Sequence, residues 1–310
     1  MSITRRTFAA SLAAATTTAT AAAAPRPEGV LVDTHIHLFA MDRERFPFAP
    51  MGTYAPEPQG LSDYTAFVHQ SGIDHAIVVH PEPYQDDHTY LEYCLDNEPK
   101  PGFFKGTCLY DSARSDTPAR LKRLMGRYPD RIVAFRIHAM GERGSVPSET
   151  GPIKNRDLTA DYMRRTWRAV ADAGIAIQMH FLPFYAPLIN SLCRQFPDVP
   201  VILDHLGRSG LGTSDDYAEV LALSKYPNVY MKYSGVGYSS KTGYPFEDAL
   251  PIVREAFYNF GPDRMIWGGL GMNMQDFERN VAVLDDLFEY ASEEDRAKIR
   301  GLTAVKLFDL

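Results

Sequence analysis

The chain has 310 residues, 45% hydrophobic and 23% charged, and a formal net charge of −7, a profile ordinary for a globular protein. That acidic balance also argues against nucleic acid or an anionic lipid surface as a partner. Three scattered cysteines, Cys94, Cys108 and Cys193, are too few for a disulfide framework and read as buried packing.

At the N-terminus, Thr4-Arg5-Arg6-Thr7-Phe8 precedes an Ala/Thr-rich stretch that ends before Pro25. Paired arginines, a mildly apolar run and small residues read as a twin-arginine export signal over residues 1–24, which implies a periplasmic or secreted protein. Its removal takes away two arginines and no acid, so the net charge moves from −7 to −9. Residues 25–310 then form one domain, with no linker or low-complexity segment after residue 30.

Short apolar runs follow at Val30–His37, Ala76–His80, Phe103–Tyr110, Ile132–His138, Ile175–Phe181, Pro200–Leu206, Val229–Ser234 and Met265–Leu270. Amphipathic stretches separate them: 63–71, 90–97, 119–127, 162–173, 186–195, 216–224 and 247–260, with an eighth at 275–290. Eight strands alternating with helices predict a single α/β domain, a (β/α)8 TIM barrel, with extra C-terminal helices over 293–300 and 303–310. Within the runs, large apolar residues such as Ile175, Ile177 and Met179 share one face, while Ala176, Gln178 and His180 share the other. The first face would meet the helices and the second would line the barrel.

The first strand carries Asp33-Thr34-His35-Ile36-His37. Strand alternation places Asp33, His35 and His37 on one face and Val32, Thr34 and Ile36 on the other. Two imidazoles at that spacing can share a metal ion or grip one anion. Six of the nine histidines end predicted strands, and His35, His37, His80, Arg136, His138, His180, His205 and Lys232 would converge at the C-terminal mouth, where barrels build their active sites. Arg136 and Lys232 suit an anionic substrate, since a guanidinium forks onto a carboxylate and a lysine supplies a point charge; an internal ion pair with Asp33 or Glu82 is the structural alternative. His138 and Tyr84 complete the expected substrate contacts. Three long connections, Phe39–Gly60, Met140–Leu158 and Gly235–Pro245, follow strands and would rim the same mouth.

These pieces resemble the amidohydrolase superfamily, in the amidohydrolase-related group that holds pyrone-dicarboxylate and sugar lactonases and carboxymuconate-semialdehyde-type decarboxylases. The matching segments are Asp33–His37, His180, Asp204-His205-Leu206-Gly207-Arg208, Asn228–Gly235 and Gly261–Gly268. His80-Pro81-Glu82-Pro83-Tyr84-Gln85-Asp86-Asp87 after the second strand, together with the seventh-strand segment, leans toward the lactonase branch. The resemblance implies a divalent metal, zinc by preference, on His35, His37 and His180, completed by an eighth-strand aspartate in a Trp-Gly-Ser-Asp run. Here that run reads Trp267-Gly268-Gly269-Leu270, so Leu270 stands where the acid belongs. Without it, His205 or His80 is left as proton acceptor, or the histidines hold substrate directly. The expected activity is lactonase-type opening of a small cyclic ester bearing a carboxylate, by an enzyme free to form a homo-oligomer. A decarboxylase acting on an aromatic or muconate-type acid, and a degenerate barrel that only binds a small acidic ligand, stay open as alternatives.

Overall fold

Alternating strand and helix signals are realised as eight parallel strands paired in sequence order. The computed structural model describes residues 29–269 and 274–310; the expected export signal and Leu270 lie outside the described residues. The strands are β1 Val32–Ile36, β2 His75–Val79, β3 Phe104–Cys108, β4 Ile132–Ala139, β5 Ala176–Phe181, β6 Val201–Leu203, β7 Val229–Tyr233 and β8 Met265–Trp267. Helices α1 Leu61–Ser71, α2 Thr89–Asp96, α3 Thr117–Arg127, α4 Asp161–Ala173, α5 Ala186–Gln195, α6 Ser214–Leu221, α7 Leu250–Phe260 and α8 Met274–Leu287 follow the strands in turn. The chain closes with α9 Glu293–Ala297 and α10 Thr303–Phe308. This is the (β/α)8 barrel that the periodicity predicts. Among the described residues, no helix is long and apolar enough to cross a membrane.

Two apolar layers divide the strand residues. Ile177, Met179, Val201 and Met231 pack outward among helix residues such as Trp167 and Val253. Val32, Ile77, Ala134, Ala176, Ile202 and Ile266 pack inward, joined by Ala304 and Phe308 of α10. The C-terminal helix therefore closes the floor of the barrel and leaves only the opposite end for chemistry. All three cysteines are buried and free.

Strict alternation fails on β1. Its pairing with β2 slips between Asp33 and Ile36, so Val32 faces the interior while Ile36 joins the outer layer. A bulge of this kind re-aims side chains. It separates Asp33 from the histidine pair, contrary to the single shared face expected from the sequence. The Asp33 carboxylate accepts hydrogen bonds from the His35 and Gly269 backbone N–H groups at 3.0 and 2.8 Å. Burial pushes its pKa up to about 7. Together with the Thr34 hydroxyl, which donates to the Trp267 carbonyl at 2.6 Å, it stitches β1 to the end of β8.

The sixth strand stops at Leu203, earlier than predicted. His205, Leu206, Gly207 and Arg208 all have positive φ, between 50° and 61°, which makes one left-handed turn. Each non-glycine residue so placed costs roughly 1–2 kcal/mol. The turn is held by the buried Leu206 side chain and by Gly207, where an added Cβ would lie 2.6 Å from Val220 Cγ1. Its effect is to turn His205 and Arg208 toward the barrel axis.

Candidate functional site

At the mouth, a cavity of about 380 Å³ is lined by His35, His37, Arg136, His138, His180 and His205, with Arg208 and Tyr238 beside them. Thr53, Tyr54, Glu82, Met140 and Lys154 complete the wall. Six of the expected side chains thus converge, and all three long loops contribute to the rim.

The histidine pair is organised by its outer contacts. His37 Nδ1 lies 2.7 Å from the Val79 carbonyl; a carbonyl only accepts, so Nδ1 carries the proton and Nε2 presents a lone pair. That lone pair faces His35 Nε2 at 3.2 Å. His35 Nδ1 in turn points toward Asp204 Oδ1 at 3.6 Å. If His35 keeps its proton on the carboxylate side, two lone pairs meet across 3.2 Å, an arrangement that a cation between them satisfies. Two nitrogens bound to one zinc at about 2.0–2.1 Å each can be no more than about 4 Å apart, so the pair fits. His180 adds two ring nitrogens that are buried without a partner, and His138 adds its Nε2. Burial lowers the pKa of His37 to about 3 and holds His35, His138, His180 and His205 well below the ordinary imidazole value. All five are therefore neutral at neutral pH, as metal ligands and proton acceptors must be.

Beneath the cavity lies an ion-pair network centred on Asp204. Arg136 Nε and Nη2 donate to Asp204 Oδ2 at 3.2 and 3.0 Å. Gln178 Nε2 donates to Oδ1 at 3.0 Å, and Lys232 Nζ stands 3.4 Å from Oδ1 while donating to the Thr34 carbonyl at 3.0 Å. Burial alone would raise the Asp204 pKa, but Lys232 and Arg136 together hold it well below the usual carboxylate value. Burial lowers Lys232 to about 8, with Asp204 opposing that shift. His35, Asp204 and His205 also offer ligand atoms within 4.8 Å of one another. The Asp204 carboxylate, however, is already taken up by two cations and an amide, which leaves the paired imidazoles as the better seat for an ion.

Three predicted site residues stand elsewhere. Lys232 is fully buried under the cavity as part of the Asp204 network; its internal partner is Asp204, where the sequence pointed to Asp33 or Glu82. His80 is also fully buried; its Nε2 donates to the Gln85 carbonyl at 3.0 Å and its ring stacks on His88 with centroids 4.2 Å apart. Tyr84 turns its hydroxyl to the Ala40 N–H at 2.8 Å and packs on Phe48. None of the three lines the cavity.

One residue gains a role that sequence reasoning missed. The Arg208 guanidinium sits 4.1 Å over the Tyr238 ring and lines the cavity; its buried Nε has no partner, and it forms no ion pair among the described residues. The Asp-His-Leu-Gly-Arg segment contains it, but only the left-handed turn brings it beside His205. His205 itself is fixed by a 2.8 Å hydrogen bond between Nδ1 and Ser234 Oγ. Gly235 leaves room for that ring, since a Cβ there would lie 3.0 Å from His205 Nδ1.

A family model described as Amidohydrolase matches residues 32–310. The chain is 26% identical to a 4-sulfomuconolactone hydrolase of Rhizobium radiobacter over 76% of this chain and 73% of that protein. Among solved structures, it resembles a probable 2-pyrone-4,6-dicarboxylic acid hydrolase of Acinetobacter baumannii with citric acid bound. The TM-score is 0.72 and the identity 17%, over 90% of this chain and 99% of the other. It also resembles an amidohydrolase of Burkholderia multivorans with bound zinc, at TM-score 0.68 and 16% identity over 91% and 100% of the two chains.

Proposed function

The chain belongs to the amidohydrolase family, and from that premise we propose that it hydrolyses a small lactone bearing a carboxylate or sulfonate. The observation that carries this reading is the cavity itself, which joins five neutral imidazoles to the Arg208 guanidinium, whose Nε has no hydrogen-bond partner among the described residues. The relative that opens a sulfonated lactone and the fold neighbour that is a probable pyrone-dicarboxylate hydrolase support the substrate class.

His35 and His37, with His180 as third donor, are the residues that would hold a divalent ion. When bound, such an ion polarises a carbonyl and lowers the pKa of water. The chain's own groups do the rest. Arg208 forks onto the anionic substituent, while Arg136, its Nε and Nη2 turned to Asp204, adds positive potential. Because the resemblance would put an acid at position 270, where the sequence has leucine, we assign the proton to His205, which lines the cavity. It is neutral and steadied by Ser234. It removes a proton from water as the water oxygen bonds to the lactone carbonyl carbon. The ring C–O bond then breaks, and the departing alkoxide takes the proton back from His205, giving a hydroxy acid.

The test is a panel of five- and six-membered lactones, with and without carboxylate or sulfonate, assayed on protein loaded with zinc. Turnover is expected to be fastest with the anionic members and slow but measurable with the neutral ones, and His205→Ala should lower kcat by about a hundredfold or more. Arg208→Met should raise KM for anionic lactones by roughly tenfold or more, the scale of a hydrogen bond to a charged group, and leave neutral ones unaffected. Carbon dioxide release from muconate-type acids without lactone opening would overturn the reading in favour of a decarboxylase. Binding of such acids without turnover would leave a ligand-binding barrel.

A further inference from the structure

We propose that Gln85 is a positioning residue whose side-chain amide straps the loops after β1, β2 and β4 into one wall and thereby sets the cavity's affinity for substrate. The statement about affinity rests on the lactonase reading; the strap itself does not. Gln85 is almost wholly buried and lies outside the cavity. Its Nε2 donates to Glu82 Oε1 at 2.5 Å and to the Glu82 carbonyl at 2.9 Å. Its Oε1 accepts from the Ile153 N–H at 2.7 Å. Glu82 extends the chain of bonds, since its Oε2 accepts from the Thr53 N–H at 2.9 Å. One line of hydrogen bonds thus runs from Thr53 through Glu82 and Gln85 to Ile153.

Each anchor adjoins a cavity wall residue. Thr53 and Glu82 line the cavity themselves, Tyr54 follows Thr53, and Lys154 follows Ile153. The three wall segments come from loops far apart in sequence, so their relative placement depends on bonds of this kind. The backbone bears the same reading. Gln85 holds φ 48° and ψ −119°, a conformation that favours glycine and burdens any other side chain. A glutamine persists there with every polar group used: its N–H donates to the Glu82 carbonyl at 2.8 Å, and its own carbonyl accepts from His80 Nε2 at 3.0 Å. The buried His80 is accordingly part of the strap's anchorage.

Gln85→Gly tests this in the full chain, because glycine adopts that backbone freely and removes only the side chain. Hydrogen exchange followed by mass spectrometry should speed up about tenfold in the segments 50–56 and 150–156, with the thermal midpoint within a few degrees of the native protein. With 4-sulfomuconolactone as the probe, KM should rise about tenfold and kcat stay within about twofold, the mark of lost positioning rather than lost chemistry. Unchanged exchange in both segments, or a fall in kcat at constant KM, would overturn the proposal. If the native protein does not open this lactone, the functional reading suffers, and the exchange result still decides the strap.

Discussion

Acidification from about pH 7.5 to about pH 5.5 is expected to unfold the protein, with several protons taken up per molecule. Five histidines, His35, His80, His88, His138 and His205, are buried, His37 and His180 are half-buried, and desolvation holds the pKa of all seven below 6.5. Below pH 6.5 the unfolded chain binds protons that the folded chain refuses. Stability is therefore fully present above the unfolded value and is lost as pH falls toward the folded ones. Each such histidine costs about 1.4 kcal/mol per pH unit in that window. Asp33 opposes them, because its raised pKa of about 7 makes the folded state bind its proton first. It is one group against seven. Asp204 changes nothing here, since its ionised form persists well below 3.8. The balance therefore favours unfolding as pH falls through this window, against a total stability on the order of only 5–15 kcal/mol. Tryptophan fluorescence against pH checks it, and a native signal that survives to about pH 4.5 would refute the account.

Asp204→Ala is expected to destabilise the fold by about 3–5 kcal/mol, the usual consequence of removing one partner from a buried ion pair. Here the loss strands two cations, Arg136 and Lys232, whose side chains are 3% and 0% exposed. The Gln178 amide loses its acceptor at the same time. Activity should fall too, because Asp204 orients the Arg136 guanidinium and faces His35. The urea midpoint measures the loss. A second variant separates charge from volume: adding Lys232→Met to Asp204→Ala should recover part of the stability, since one stranded cation is gone. A midpoint shift worth less than about 1 kcal/mol would mean that the network contributes little.

The fold was legible because it rests on periodicity. Runs such as Ile175–Phe181 show large apolar side chains on one face and small or polar ones on the other, and the two packed layers reproduce that split. The convergence of the candidate residues on one cavity was legible where strand ends carry them directly, as at His35, His37, Arg136, His138 and His180. It was lost where geometry depends on departures from regular backbone. The slip on β1 withdraws Asp33 from the histidines, and the left-handed turn brings in Arg208; neither leaves a hydropathy signature. His80 and Tyr84 carried the right residue types beside the right strand, yet local hydrogen bonds turned both away. An internal acid partner for Arg136 and Lys232 is one of the two readings that the residue types allow. Choosing Asp204 over Asp33 or Glu82 required knowing which side chains face inward.

The turn at His205–Arg208 also bears on how such a site can be inherited. Most substitutions are screened by the chemistry of a side chain; here a second screen acts through chirality. A β-branched residue at position 206 or 208 would meet the full penalty of a left-handed backbone. At position 207, even alanine would collide with Val220. Drift along this stretch is therefore confined to few paths, and a descendant that abandoned the reaction would still carry much of the same four-residue signature. The segment records a shape as well as an activity, and in a diverging lineage the shape would be the slower of the two to fade.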